Sequence, residues 1–141
     1  MKLSTNGSVA DRMNKRLEKS HLSHQVALND AMNHLLHYQM HVDASPLEIE
    51  QIAVELLDAG ATMEHNLIVH HVAGGTIHAG LYPNDCQRQM LRFFHSRGVS
   101  LSPLLEKARK MEGYGAGAWA VEFELASRMQ EATAAPKVVR L

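Results

Sequence analysis

Apolar residues recur along most of the chain at the three- and four-residue spacing that marks one face of an α-helix. The stretch from Val9 to Val42 contains neither glycine nor proline, and Val9, Met13 and Leu17 follow one another in steps of four. Two apolar stripes then run side by side, which is typical of a helix buried on more than one side. They comprise Leu28, Met32, Leu35 and Val42, and Leu22, Val26 and Leu36. This pattern predicts one long N-terminal helix, with a break near residues 20–23 as the alternative.

Capping residues mark where the later helices begin and end. The tetrapeptide SPLE at 45–48 combines an N-cap serine, a proline in the first helical position and a glutamate that completes a capping box. Asn84, followed three residues later by Gln87, opens a further helix, and Ser102 with Pro103 opens another. Glycines that follow an apolar stripe end these helices. They are Gly60, Gly98 and Gly113.

Two segments leave room for short β-structure within an otherwise helical chain. Residues 76–82 resemble an extended connection, and the strict alternation of WAVEFEL at 119–125 is the signature of a strand. The alanine, glutamate, leucine and methionine of the second segment favour a helix, which we expect to reach about Glu131. The fold class predicted is therefore all-α, with five to six helices in one domain. The predicted parts are a flexible N-terminus (1–8), the helical domain (9–133) and a flexible tail (134–141).

The size of the chain bears on its oligomeric state. A chain of 141 residues with 45% hydrophobic residues is suited to one domain with its own core. A helix of roughly 30 residues would be about 45 Å long, whereas a compact globule of this size has a radius of gyration near ~14 Å. Such a helix would extend beyond its own domain, so we expect a homodimer. The predicted interface residues are Leu28, Met32, Leu35 and Val42.

Charge is segregated along the chain, although the net charge is only −1. Residues 20–87 hold eight acids, nine of the ten histidines and no lysine or arginine, whereas residues 88–110 hold six basic residues and one acid. No apolar run approaches the length of a membrane span, and the N-terminus lacks the apolar stretch of a signal peptide. The single cysteine excludes an internal disulfide and fits a reducing compartment. We therefore expect a cytoplasmic protein without membrane contact.

The basic segment is the candidate nucleic-acid site. Segment 84–112 has the outline of a DNA-reading helix-turn-helix, with a glycine in its turn. The candidate contacts are Arg88, Arg92, Arg97, Lys107, Arg109 and Lys110. Phe94 is bulky where the first helix needs a small residue, and Pro103 occupies the opening of the would-be recognition helix. A solvated basic face and an interface with an acidic protein are the alternatives.

Histidines supply the candidate metal ligands. His34, His37 and His41 stand at i, i+3 and i+7 and so share one helical face. Imidazoles one turn apart can bind zinc or nickel. The chain has no HExxH motif and not the two Glu-x-x-His motifs that a helical di-iron site uses, so we predict no metal and no cofactor. Because some of these histidines are expected to be buried, we also predict net destabilisation between about pH 7 and pH 5.

Three classes of function are compatible with these observations. The first is a small non-enzymatic accessory or regulatory protein that binds another protein, as a homodimer. It is favoured because no catalytic constellation is found: Cys86 lies beside Asp85 without a nucleophile motif, and the glycine clusters lack the lysine of a P-loop. The second is a DNA-binding transcriptional regulator that uses segment 84–112. The third is a histidine-dependent metal-binding protein.

Overall fold

In a computed structural model, the chain is described over residues 1–40, 44–62, 72–73, 75–111 and 114–134. The helices in these ranges are α1 (Ser8–Lys19), α2 (His24–Tyr38), α3 (Pro46–Asp58), the single turn α4 (Gly75–His78), α5 (Asp85–Ser96), α6 (Ser102–Lys110) and α7 (Tyr114–Ala134). The described ranges contain no β-strand, so the predicted all-α fold is confirmed. The ambiguous segment 119–125 lies inside α7, and no helix in the described ranges is both long and apolar enough to cross a membrane.

The long N-terminal helix that the sequence predicts is in fact two helices. α1 ends at Lys19, Ser20 is extended, and the Leu22 amide donates to the Ser20 hydroxyl at 3.2 Å. Serine side chains compete with helical hydrogen bonds in this way and favour turns. α2 then runs back along α1, so that Arg16 meets Asp30. The homodimer was predicted mainly because one helix would extend beyond its domain, and neither α1 nor α2 is that long.

The predicted interface residues lie in the core of the fold. Leu28, Met32 and Leu35 are almost fully buried, because α1 and α3 both pack against α2. The apolar stripe of α2 is thus covered within the chain, which corrects the expectation that a second copy covers it. Val42, the fourth predicted interface residue, lies outside the described residues.

The core joins α3, α5 and α7 into one body. α3 packs against α1, α2 and α5, while α5 and α6 pack against α7. Trp119 and Phe123 project from the inner face of α7 and stack with ring centroids 5.8 Å apart. Both rings are fully buried, as is Phe94 of α5. Burial of an aromatic side chain stabilises a fold by several kcal/mol, roughly 3–5 when judged by truncation to alanine.

The N-terminal residues predicted to be flexible are attached to two helices. Leu3 is buried, and its amide donates to the Asn14 side chain at 2.7 Å. The Glu55 carboxylate of α3 accepts from the Ser4 amide at 2.6 Å and the Thr5 amide at 2.9 Å, and also from both hydroxyls. The predicted tail lies outside the described residues, apart from Ala134 at the end of α7.

The predicted caps of α3 and α5 are present, and the α3 cap has a second role. Ser102 is instead the first residue of α6, which has no side-chain cap. Asn84 and Gln87 form the reciprocal capping box of α5. Ser45 caps α3 by accepting from the Glu48 amide at 3.4 Å. The Glu48 carboxylate does not return to Ser45 but accepts from the Ala10 amide at 3.1 Å, in the first turn of α1. A carboxylate is favoured at a helix N-terminus, so α3 supplies the cap that the glycine before α1 lacks.

Candidate functional site

Three of the six predicted nucleic-acid contacts form ion pairs with α7. The Arg88 Nε lies 3.0 Å from one oxygen of Glu122, and the Arg92 Nη2 lies 3.6 Å from the other. The Glu122 side chain is only 14% exposed, so one carboxylate is held between two arginines of α5. On the other side of α7, Arg109 of α6 pairs with Glu124. These arginines join helices within the chain, which explains much of the basic segment without nucleic acid.

The other predicted contacts lie at the C-terminal ends of helices. The Arg97 guanidinium stands 4.8 Å from the centre of the Phe93 ring, just past α5. Lys107 and Lys110 occupy the last turn of α6, where positive charge is favoured by the helix dipole. A helix-turn-helix reads base edges with the N-terminal part of its second helix. In α6 that part begins with Ser102 and Pro103 and carries no basic residue, so the arrangement does not favour base contacts.

The histidine cluster lines an open groove between α1 and α2. The groove has a volume of about 330 Å³, and it is lined by Arg16, Asp30, Asn33, His34, His37 and Tyr38. No three histidine, cysteine, aspartate or glutamate side chains come together as metal ligands within the described ranges. His41 lies outside those ranges. Two imidazoles alone fall short of the three or four protein ligands of a zinc site.

His34 is the end of a hydrogen-bonded chain that crosses from α1 to α2. The Arg12 Nε donates to the Gln39 Oε1 at 2.9 Å, and the Gln39 Nε2 lies 3.1 Å from the His34 Nε2. A guanidinium only donates, so the oxygen of Gln39 must face Arg12 and its NH₂ group must face the imidazole. The His34 Nε2 therefore accepts, and the ring is neutral with its proton on Nδ1.

The surroundings of His34 also favour its neutral form. Burial lowers the pKa of His34, and the positive charge of Arg16 lowers this pKa further. Asp30 acts in the opposite direction, and His37 adds a smaller lowering of the pKa. Asp30 is itself in a two-point contact with Arg16, at 3.1 and 3.3 Å, which compensates its charge.

Cys86 does not have the environment of a nucleophile. The side chain is buried at the start of α5, and its Sγ donates to the carbonyl of Ala44 at 3.3 Å. Burial raises the pKa of the Cys86 thiol, and the charge of Asp85 raises it further. Reactive cysteines need a lowered pKa and access to solvent.

Neither the exposed apolar surface on α7 nor the exposed loop residues Leu81 and Tyr82 were identified from the sequence. Leu81 is 59% exposed, Tyr82 60%, Val121 57% and Leu125 41%. The indole Nε1 of Trp119 donates to the Leu81 carbonyl at 2.8 Å, which fixes the loop 81–82 against α7. We call Val121 and Leu125, which stand one helical turn apart, the α7 surface.

The alternation in WAVEFEL was the signal that could have revealed this surface. In a strand, alternating apolar residues share one face, but in a helix they fall on two faces. Trp119 and Phe123 occupy the inner face of α7, and Val121 and Leu125 occupy the outer face. α7 thus buries one apolar face in the core and leaves the other in contact with solvent.

Gly115 allows the loop to approach α7 so closely. A Cβ atom at this position would lie 2.2 Å from the carbonyl oxygen of Gly80 and 2.4 Å from the carbonyl carbon of Leu81. Only glycine leaves room for backbone contact at such a distance. The loop and the helix therefore form one fixed unit.

Comparisons with protein-family models, with curated proteins and with solved structures found no match. Functional inference for this chain therefore starts from the geometry described above.

Proposed function

We propose that the protein is a small non-enzymatic accessory protein that acts by binding another protein through the α7 surface. The observation that carries this proposal is the outward apolar face of α7 at Val121 and Leu125, two exposed residues one helical turn apart. Isolated exposed apolar residues are common, but groups of them on one region of a surface mark interaction sites.

The α7 surface is supported on both sides by ion pairs. Glu122 is held by two arginines of α5, and Glu124 is held by Arg109 of α6. Trp119 fixes the inner face of the same helix in the core. A surface held in this way loses little conformational entropy on binding, which favours affinity. The protein has a single cysteine, which is buried, and this is consistent with a cytoplasmic, reducing environment.

Affinity purification with matched variants tests this function. The double variant Val121→Glu, Leu125→Glu places two charges on the α7 surface, and Val26→Glu is the control, since Val26 is 50% exposed on α2. We expect wild type and the control to retain the same partner from the native host, and the double variant to lose it. Equal retention by all three proteins would contradict the proposal. Circular dichroism melts must show that each variant remains folded.

A second copy of this chain is one partner that such a surface would accept. Light scattering at micromolar concentration distinguishes a mass of 15.7 kDa from twice that value. If the homodimer forms through α7, the double variant is monomeric while Val26→Glu remains dimeric. A dimer that survives the double variant would place the interface elsewhere.

A further inference from the structure

The two hydrogen bonds that link Arg12, Gln39 and His34 can both form in only one protonation state of His34. Gln39 has one amide oxygen, and Arg12 occupies it at 2.9 Å. The remaining NH₂ group can only donate, so it requires an acceptor at the His34 Nε2, 3.1 Å away. An imidazolium carries a proton on both nitrogens and offers no acceptor. With His34 protonated, both neighbours of Gln39 are donors, and one contact must break.

These hydrogen bonds connect α1 to α2, so the loss of one of them weakens the contact between the two helices. Gln39 is buried and caps the C-terminus of α2, while Arg12 belongs to α1. The amide of Gln39 is thus the link between the two antiparallel helices at this end of the pair. Partly satisfied buried polar groups are destabilising, because the low local dielectric makes the lost hydrogen bond costly.

We propose that His34 is a pH-sensitive latch that holds α1 against the end of α2 while the imidazole is neutral and releases this contact when it is protonated. The charged and titratable groups around the ring among the described residues come from the same two helices. α1 contributes Arg12 and Arg16, and α2 contributes Asp30, His37 and Tyr38, whose ring centroid lies 5.0 Å from that of His34. Two of these groups are fixed cations, and the one carboxylate is engaged by Arg16.

The direction of the pH dependence follows from this environment. Burial and the nearby Arg16 place the pKa of folded His34 below its ordinary value of 6.5. A histidine with a lowered folded pKa contributes stability above the unfolded pKa, and that stability is lost as the pH falls from there through the folded pKa. The latch therefore opens below about pH 6.5.

Imidazole NMR of the full chain tests the latch directly. We expect His34 to show the tautomer protonated on Nδ1 and to titrate below about pH 6.5. The variant Gln39→Glu replaces the NH₂ group with a second acceptor, which can accept from Arg12 and from an imidazolium together. In this variant we expect His34 to titrate above ~6.5 instead.

Thermal melts give a second readout. From about pH 7.5 to about pH 5.5 the midpoint of wild type should fall by roughly 3 °C more than that of His34→Gln. His24→Gln, which removes an exposed histidine from the other end of α2, is the control and should keep the wild-type dependence. The latch would be overturned by the Nε2-protonated tautomer, by titration of His34 at or above its ordinary value, or by an unchanged pKa in Gln39→Glu.

Discussion

Glu55 is the residue on which attachment of the N-terminal segment depends. Its carboxylate accepts four hydrogen bonds, from the amides and hydroxyls of Ser4 and Thr5. Burial alone would raise the pKa of Glu55, but the hydrogen bonds from both residues outweigh it and lower the pKa from 4.5 to about 2. The variant Glu55→Gln keeps the shape of the side chain and replaces one accepting oxygen with a donor. The Ser4 and Thr5 groups can then no longer all be satisfied.

The size of the effect follows from this pKa. A fall in pKa from 4.5 to about 2 limits the contribution of Glu55 to stability to about 3 kcal/mol, because one pKa unit is worth about 1.4 kcal/mol. Solvent screening reduces this figure, since Ser4 is exposed and Glu55 is only partly buried. We expect Glu55→Gln to lower the free energy of unfolding by about 1–2 kcal/mol at neutral pH, or roughly 3–8 °C in midpoint.

Urea unfolding at neutral pH, with Asp58→Asn as the control, measures this change. Asp58 is an exposed carboxylate at the end of the same helix, and its replacement should alter stability by less than about 0.5 kcal/mol. The contribution of Glu55 is present above its unfolded pKa near 4.5 and is lost as the pH falls toward the folded pKa of about 2. Equal stability of Glu55→Gln and wild type at neutral pH would refute the attachment.

Two further changes test the packing of the loop and of α5 against α7. Gly115→Ala should destabilise the fold by about 2–4 kcal/mol, because its Cβ would lie 2.2 Å from the Gly80 carbonyl oxygen. Gly117→Ala is the control: its Cβ would meet open space, so the variant should be neutral or more stable by up to ~1 kcal/mol. Calorimetry measures both midpoints, and similar midpoints would contradict the close approach of the loop to Gly115. Glu122→Gln should lower the free energy of unfolding in urea by about 1 kcal/mol, since Arg88 and Arg92 lose their shared carboxylate but remain partly hydrated. An increase in stability would show that the two ion pairs do not stabilise the fold.

Local signals predict much of this fold, and contacts between distant residues account for what they miss. The capping box at Asn84 and the serine cap at Ser45 are encoded within four residues, and both are present. The attachment of Ser4 and Thr5 depends on Glu55, about fifty positions away, and no local pattern indicates it. The basic segment was conspicuous in the sequence, but its partners Glu122 and Glu124 lie on a helix beyond it.

A hydrophobic pattern also allows two structural interpretations where both faces of an element are apolar. The stripe through Leu28, Met32 and Leu35 indicated a covered face, but not whether α1 and α3 or a second copy covers it. The alternation from Trp119 to Leu125 fitted a strand as well as a two-faced helix. Which face stays exposed depends on how α5 and α6 pack against α7, and that information is not local.

Site-specific photo-crosslinking in the native host tests the central claim most directly. A benzophenone side chain at Val121 or at Leu125 probes the α7 surface, and the same group at Val26 probes a similarly accessible position on α2. We expect both α7 positions to yield the same discrete adduct, containing one partner protein or a second copy of this chain, and Val26 to yield none. If the α7 positions give no adduct, or if Val26 gives the same one, the α7 surface is not where this protein binds.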